Sequence, residues 1–314
     1  MFDLHLLPKV RDSWSYVYVE HCRVDKEEKA IAVQDAQGQV LVPCAALAVL
    51  MVGPGSNVTH AAIRALAENG CLVFWTGEEG VRFYAQGLGE TRSARNLLRQ
   101  ARLWADSRQH LEVVLRMYGL RFQEAPDPNW TLPQVRGKEG LRVRGAYARA
   151  SREAGVPWTG RVYARERWQA ADPINRALSA ANSCLYGICH AAIVSAGYSP
   201  ALGFIHTGKM LSFVYDVADL YKLEMAIPMA FRATAEGEKD LEGRVRRACR
   251  DAFREGRLLS RIVPDIERVL GEPEVGQVEG DYDADAAHPG GLWEPDFGAV
   301  PGGQNRAGGG EEGA

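Results

Sequence analysis

The chain has 314 residues, which at about 150 residues per domain predicts two domains rather than one. It carries 37 Lys and Arg against 40 Asp and Glu, a formal net charge of -3 that taken alone argues against a nucleic-acid partner. The charge is unevenly distributed, because residues 272–314 contain ten acids and one base. A body of charge +6, residues 1–271, therefore precedes a tail of charge −9.

The sequence argues against a membrane-spanning or secreted protein. The longest apolar run, residues 45–52, is far shorter than the ~20 residues that a membrane-spanning helix needs. The N-terminus has neither the basic start nor the apolar stretch of a signal peptide, so we expect a cytoplasmic protein with no membrane partner. The six cysteines form no C-x-x-C pair and no zinc-binding spacing, and we expect them to be reduced.

Short runs of β-branched and aromatic residues dominate residues 15–88. These runs predict strands over residues 15–19, 30–33, 39–43, 48–52 and 72–75. One segment, residues 57–67, has Ala and Leu at helical spacing, with Thr59 as a candidate N-cap and Gly70 near its end. We therefore expect residues 1–88 to form a small, mainly β domain with one short helix.

Apolar residues recur every three or four positions in residues 89–271, which indicates amphipathic helices. Helices are predicted over residues 94–122, 132–154, 173–196, 211–235 and 243–270. The predicted fold class is α+β, a small β-rich N-terminal domain followed by a larger all-α domain. The tail, residues 272–314, holds 11 Gly and 4 Pro and is expected to be disordered, because it cannot bury enough apolar surface.

The first chemical signal is a pair of aspartates. Asp216 and Asp219 lie three residues apart in a predicted helix, so both carboxylates share one face. Two acids this close repel each other unless a cation lies between them. The structural alternative is that Asp216 favours a helix N-terminus while Asp219 pairs with Lys222.

His206 lies between Gly203 and Gly208, on a loop that leads into the helix bearing both aspartates. A loop histidine is most often solvated or hydrogen-bonded to backbone. Its closeness in sequence nevertheless makes it a spatial neighbour of the aspartate pair. Imidazole and carboxylate together suit Mn²⁺ or Mg²⁺.

Glu139 stands between Gly137 and Gly140 in another predicted helix. The structural alternative is an ion pair with Arg142 or Arg136, worth about 0.2–0.5 kcal/mol on an exposed helix. Each glycine costs about 1 kcal/mol relative to Ala, which predicts a close backbone approach or helix packing at this position.

Basic and aromatic side chains alternate in residues 161–168, and Arg246 and Arg250 share one helix face. Such a mixture suits phosphate pairing combined with base stacking. Solvated arginines and a packed Trp168 explain the composition equally well.

Three ordered segments resemble the signatures of the CRISPR-associated adaptation integrases, the Cas-one family. They are RGKEG at 136–140, FIHTGK at 204–209 and LSFVYDVAD at 211–219. Three others narrow the resemblance to the subtype I-E branch: VTHAAIR at 58–64, GEEGVRFYA at 77–85 and NSCLYG at 182–187. The resemblance covers about residues 10–270 and implies the same β-rich and helical domains.

The resemblance implies that Glu139, His206 and Asp219 hold a divalent metal, Mg²⁺ or Mn²⁺, with Asp216 in a supporting role. It implies a metal-dependent integrase that joins the 3′-OH ends of captured spacer DNA to the CRISPR repeat by transesterification, with endonuclease side activity. The implied partners are double-stranded spacer DNA, CRISPR repeat DNA, the small Cas-two subunit and a second copy of the chain in a homodimer. The implied DNA contacts are Arg64, Arg82, Lys209, Tyr163, Trp168, Tyr186 and Arg246.

The chain departs from the subtype I-E pattern at His21, where that branch carries a Tyr that stacks on the end of the captured duplex. Two other functions fit the same residues. One is a general metal-dependent nuclease of branched DNA. The other is a non-catalytic DNA-binding scaffold, in which the acids and the histidine only hold helices together.

Overall fold

The computed structural model describes residues 16–47, 49–77, 83–87, 94–123, 126–127, 129–161, 172–271, 292–295 and 298–300. Strands occupy the first part of these residues and helices most of the rest, so the predicted α+β class is confirmed. Lys9–Glu272 group as one compact unit.

The strands of the N-terminal region are short. They are β1 Tyr16–Val19, β2 Arg23–Glu27, β3 Ala30–Asp35, β4 Gly38–Pro43, β5 Val49–Val52, β6 Asn57–Val58, β7 Leu72–Thr76 and β8 Phe83–Gly87. One sheet has the order β1-β5-β7-β8, in which the first three strands are parallel and β8 is antiparallel. The other has the order β4-β3-β2-β6, an antiparallel meander closed by the parallel strand β6.

The predicted short helix is α1, His60–Glu68, and its N-cap is confirmed: the Thr59 hydroxyl accepts a 3.2 Å hydrogen bond from the backbone N–H of Ala62. One core of this region includes Val24, Leu50 and Leu66, which join the two sheets and α1 in one apolar cluster.

Helices follow from residue 95. They are α2 Arg95–Ala105, α3 Ser107–Phe122, α4 Leu132–Ala154, α5 Pro173–Ser195, α6 Ser212–Ala218, α7 Ile227–Ala235, α8 Leu241–Glu255 and α9 Leu258–Leu270, with a π-helical turn at Lys222–Ala226 before α7. Three of the predicted helices were wrong as single elements. Asp106 divides the first because its side chain caps α3, accepting a 2.8 Å hydrogen bond from Gln109. The segment 211–235 breaks after α6, and the last predicted helix breaks at Arg257, whose φ is 46°.

Helix α5 forms the centre of the helical region, with α6, α7, α8 and α9 packed around it. By length and composition α5 could cross a membrane, but 78% of its most apolar window is buried within the described fold. A helix that is apolar on nearly all sides and enclosed by other helices is typical of a protein core.

The β-rich and helical parts are in contact. Met51 and Phe74 pack with Ala191 and Val194 near the C-terminal end of α5. The predicted domain boundary between residues 88 and 89 lies outside the described residues.

The tail contains a hairpin that composition did not predict. Strand β9, Leu292–Glu294, pairs antiparallel with β10, Gly298–Val300. Trp293 in β9 and Val300 in β10 are of types with high β propensity, which favours a local hairpin even in a Gly-rich sequence. The predicted disorder of the other tail residues falls outside the described part of the chain.

Candidate active site

Asp216 is completely buried and accepts several backbone hydrogen bonds. Its Oδ2 accepts the N–H of Phe204 at 2.6 Å and that of Ile205 at 3.0 Å, and its Oδ1 accepts the N–H of His206 at 2.9 Å. A buried carboxylate is tolerated when its lone pairs are used in this way. Asp216 therefore fixes the loop that precedes its own helix.

The His206 imidazole is oriented by the same carboxylate. Its Nδ1 lies 2.7 Å from Asp216 Oδ1, and because a carboxylate only accepts, Nδ1 is the donor. A neutral imidazole in this state carries its free lone pair on Nε2. That atom lies 4.0 Å from Asp219 Oδ2, and 43% of the side chain is exposed, so Nε2 is open to a ligand.

Glu139 on α4 and Asp219 at the end of α6 meet at a buried arginine. Arg121 on α3 places Nη1 3.5 Å from Glu139 Oε1 and Nη2 3.4 Å from Asp219 Oδ2. Its side chain is only 4% exposed. The structure thus brings Glu139, which is distant in sequence, to Asp219, which also faces His206, and it adds a cation that sequence reasoning missed.

Lys222 contacts Oδ1 of Asp219, so the ion pair anticipated as a structural alternative is present. Burial alone would raise the pKa of Asp219, but the charges of Lys222 and Arg121 outweigh that effect and hold its pKa below the usual range. Burial alone would lower the pKa of Lys222, but the Asp219 charge raises it above its usual value. Both groups are therefore ionised at neutral pH.

The donor atoms at this site are of the types that Mg²⁺ and Mn²⁺ bind. Glu139 Oε2 is buried and accepts no hydrogen bond from a described group; Arg142 Nη1 lies 3.6 Å away. As placed, no three His, Cys, Asp or Glu side chains of the described residues form a cluster that could hold an ion. The donor chemistry fits a divalent cation, although Arg121 is the cation that bridges the two carboxylates here.

The packing predicted around Glu139 from its flanking glycines was wrong. A Cβ atom added at Gly137 would meet nothing within 4 Å, and one at Gly140 would meet only Arg144 Nη1, at 3.8 Å. These glycines therefore do not bring a neighbouring helix closer at their own positions. Gly203 differs, because a Cβ there would collide with the carbonyl oxygen of His206.

Helix α2 holds the segment that leads to His206, which sequence reasoning also missed. Gln100 is fully buried and accepts a 2.7 Å hydrogen bond from the backbone N–H of Ser199. Its amide donates 3.0 Å hydrogen bonds to the carbonyl oxygens of Ser199 and Leu202. Three hydrogen bonds to one side chain fix the backbone just before the loop that carries His206.

The residues four positions before and after Gln100 repeat this pattern. Asn96 Nδ2 donates to the carbonyl of Ala196 at 2.7 Å, and Trp104 Nε1 donates to that of Gly203 at 3.0 Å. Positions four apart share one helix face. The sequence did carry a signal for this contact: a Gln within an apolar helical pattern, with an Asn four residues before it and a Trp four residues after it.

Two of the predicted DNA contacts lie at this site. Lys209 is exposed on the loop that follows His206. Tyr186 on α5 makes an edge-to-face contact with Tyr215 at 5.0 Å, and Lys222 Nζ lies 5.5 Å from its ring. Tyr215 in turn lies 5.9 Å from the His206 ring, so Tyr186 borders the same centre.

The other predicted contacts are elsewhere. Arg64 is exposed on α1 and pairs with Glu68 at 3.3 Å, and Arg246 is half-buried on α8. His21, at the predicted duplex-end position, is exposed with a φ of 49°. Arg82, Tyr163 and Trp168 lie outside the described residues.

Comparison with known proteins gives matches along most of the chain. The family model described as "CRISPR associated protein Cas1" matches residues 15–125 and 121–250. The chain is 57% identical over 317 positions to "CRISPR-associated endonuclease Cas1 2" of Thermus thermophilus, covering 99% of this chain and 97% of that protein. It is 48% identical over 262 positions to "CRISPR-associated endonuclease Cas1" of Geobacter sulfurreducens, covering 83% and 86%. The solved "Crystal structure of TtCas1-DNA complex" has a TM-score of 0.76 at 60% identity, covering 85% of this chain and 100% of that one.

Proposed function

The chain belongs to the Cas1 family of CRISPR-associated proteins, and from this premise we propose that it is a metal-dependent DNA integrase of CRISPR adaptation. It joins the 3′-OH ends of captured spacer DNA to the CRISPR repeat by transesterification, and the same centre cleaves DNA as an endonuclease. The names of the relatives as endonucleases support the enzymatic part, and the relative solved with DNA supports the substrate class.

The observation that carries the proposal is that Glu139 and Asp219 meet at one buried cation while His206 Nε2 faces the same oxygen of Asp219. They come from a helix, a loop and the end of a second helix, and each lies in one of the three segments that resemble the family signatures. Acids and a histidine gathered in this way, with one imidazole nitrogen open, are suited to phosphoryl-transfer chemistry.

We assign the metal to these three side chains and expect it to be Mg²⁺ or Mn²⁺. When bound, the cation would supply stabilisation of the charge that develops on the scissile phosphate and help to orient the attacking hydroxyl. The supporting observations are the open Nε2 of His206, the buried Glu139 Oε2 without a described hydrogen-bond donor, and the ionised state of Asp219.

The other side chains prepare this centre. Asp216 holds the Nδ1 proton of His206, so that Nε2 is left to bind. Lys222 and Arg121 keep Asp219 ionised. Lys209 is exposed three residues after His206, where its ammonium can pair with a DNA phosphate.

DNA binding extends beyond the centre. We propose phosphate contacts from Arg64, Arg82 and Lys209, and further DNA contacts from Tyr163, Trp168, Tyr186 and Arg246. The +6 charge of residues 1–271 supports a binding surface whose affinity falls steeply with salt. In this arrangement residues 1–88 and 89–271 are the two domains, and the acidic residues 272–314 take no part in binding.

The remaining proposals concern assembly and location. We assign the chain to the subtype I-E branch, and we expect it to form a homodimer, two of which flank a dimer of Cas-two so that the spacer DNA spans the assembly. Because a CRISPR array is part of the chromosome of the cell, the proposed activity belongs in the cytoplasm.

The test is a joining assay with the full-length protein, with and without Cas-two. A labelled duplex with 3′-OH ends is incubated with a plasmid carrying the repeat, in Mn²⁺, in Mg²⁺ or in EDTA. We expect label to enter the plasmid only when a divalent cation is present. A duplex with 3′-dideoxy ends should give no labelled plasmid. Plasmid cleavage without joining would favour the general nuclease, and DNA binding without either reaction would favour the scaffold; both results contradict the proposal.

A further inference from the structure

We propose that Arg121 is a resident cation that makes metal binding at this centre depend on DNA. The inference rests on the proposed function, since it concerns the same carboxylates. The guanidinium of Arg121 bridges two residues that we assign as metal ligands, Glu139 and Asp219.

The position of Arg121 leaves its charge little freedom. Its side chain is 4% exposed, and Nη2 lies 3.4 Å from the carbonyl oxygen of Asp216 as well as 3.4 Å from Asp219 Oδ2. The Tyr118 ring lies 5.4 Å from the guanidinium carbon. These contacts hold its positive charge between Glu139 and Asp219.

The charges of the centre already balance without a metal. Glu139 and Asp219 face three bases, which are Arg121, Arg142 and Lys222. The third acid, Asp216, is held by backbone N–H groups and by His206, and the formal charges of these three acids and three bases sum to zero. A divalent cation would therefore add a charge of +2 to a neutral cluster. Because the site is largely buried, repulsion between this cation and the guanidinium is only weakly screened.

Arg121 and a metal would also compete for the same atoms. Asp219 Oδ2 faces both Arg121 Nη2 and His206 Nε2, at 3.4 and 4.0 Å, so a metal held by His206 and Asp219 would compete with the arginine for this carboxylate. Glu139 Oε1 faces Arg121 in the same way. The protein alone should therefore bind the metal weakly.

DNA supplies the negative charge that the cluster lacks. A phosphodiester entering beside His206 offsets the added cation, and the metal then binds more tightly. Coupling of this kind is reciprocal, so the metal must strengthen DNA binding by the same factor. Without DNA the centre would therefore hold little metal and would not be ready to react.

If Arg121 had only a structural role, its replacement would change stability but would not increase the affinity for the metal. Replacing Arg121 by Met leaves two carboxylates facing each other, so the metal-free protein should become less stable in either case. Only the coupling proposal also requires that the variant bind the metal more tightly than the wild type.

The experiment is calorimetric titration of Mn²⁺ into the protein, alone and with a duplex whose 3′-dideoxy ends prevent reaction. For the wild type we expect DNA to raise Mn²⁺ affinity about tenfold or more, within the usual range of coupling between sites. For Arg121→Met we expect DNA-free affinity to rise about tenfold and the effect of DNA to shrink correspondingly. Arg121→Lys, which keeps the charge, should retain the wild-type coupling.

Two further variants complete the design. Arg108→Met, an exposed arginine on the same helix, should behave as the wild type. If Arg121→Met does not fold, Arg142→Met removes a more exposed charge of the same cluster and should shift DNA-free Mn²⁺ affinity in the same direction.

Unchanged or weaker Mn²⁺ affinity in folded Arg121→Met, or in Arg142→Met where it takes its place, overturns the inference. If the wild type nevertheless joins DNA in the plasmid assay, the proposed function stands; absence of Mn²⁺ binding to the wild type even with DNA contradicts that function instead.

Discussion

His206 and Asp216 are joined twice: the imidazole Nδ1 lies 2.7 Å from Asp216 Oδ1, and the backbone N–H of His206 donates to the same oxygen at 2.9 Å. The buried aspartate thus sets both the path of the loop and the orientation of the ring. The two aspartates of the D-x-x-D pattern consequently have different roles. Asp216 is satisfied by the protein itself, whereas Asp219 faces the open nitrogen of His206.

Replacement of Asp216 by Asn should destabilise the fold by about 3 kcal/mol, because an amide NH₂ would face backbone donors that now bond to carboxylate oxygen. Urea unfolding measures the change. Asp251→Asn is the matched control, since that carboxylate is 56% exposed and pairs with the exposed Arg250, and it should alter stability by less than about 0.5 kcal/mol. Equal stability of the two variants would show that the buried hydrogen bonds contribute little.

Replacement of Gln100 by Leu should free the 199–204 segment, because the backbone groups of Ser199 and Leu202 lose their buried partners. We expect a loss of about 1–3 kcal/mol, and faster amide hydrogen exchange confined to this segment and the following loop. Gln39→Leu, at an exposed position on β4, serves as the control. If residues 199–206 exchanged their amide hydrogens at the same rates in the variant as in the wild type, α2 would not be what holds this segment.

His190 should make stability depend on pH. Burial lowers its pKa to about 4 in the fold, against 6.5 for an unperturbed histidine. Between these values the unfolded chain binds more protons, so stability is full above pH 6.5 and declines as the pH falls toward 4. The histidine should account for about 2 kcal/mol between pH 7 and pH 5. His190→Gln should lose this dependence and the exposed His60→Gln should retain it; a slope unchanged in the His190 variant would contradict the assignment.

Arg64 and Arg108 form a matched pair for DNA binding. Each is exposed and pairs with a glutamate one helical turn away at 3.3 Å, but only Arg64 is proposed to contact DNA. Arg64→Ala should weaken DNA binding severalfold and reduce the slope of affinity against salt by about 0.9. Arg108→Ala should change neither, and both should keep wild-type stability within about 0.5 kcal/mol. Identical salt slopes for the two variants would remove Arg64 from the DNA surface.

Much of the fold could be predicted from the sequence, because the apolar periodicity changes near residue 89 from strand-like to helical. Strand β2 was missed because four of its five residues, Arg23-Val24-Asp25-Lys26-Glu27, are charged; only Val24 is buried, and pairing with β3 rather than side-chain pattern makes it a strand. The break at Asp106 was missed because apolar spacing continues across it. A capping aspartate followed by Ser107 was the local signal.

The site could be predicted only in part. The D-x-x-D pattern and the neighbouring His206 are local in sequence, so their proximity follows from the loop and helix that carry them. Glu139 required the family resemblance, because its position beside Asp219 depends on how α4 packs. Arg121 carries no sequence signal at all: its role comes from burial between two distant acids, which only the tertiary structure shows.

The central claim is that Glu139, His206 and Asp219 form the reaction centre. The most direct test is to measure strand transfer by the His206→Ala variant. His206 is the most exposed of the three, so its removal should leave folding and DNA binding in EDTA nearly unchanged. We predict that Mn²⁺-dependent joining of the labelled duplex falls by about 10²-fold or more. Joining within threefold of the wild-type rate, in a folded variant, would contradict the account.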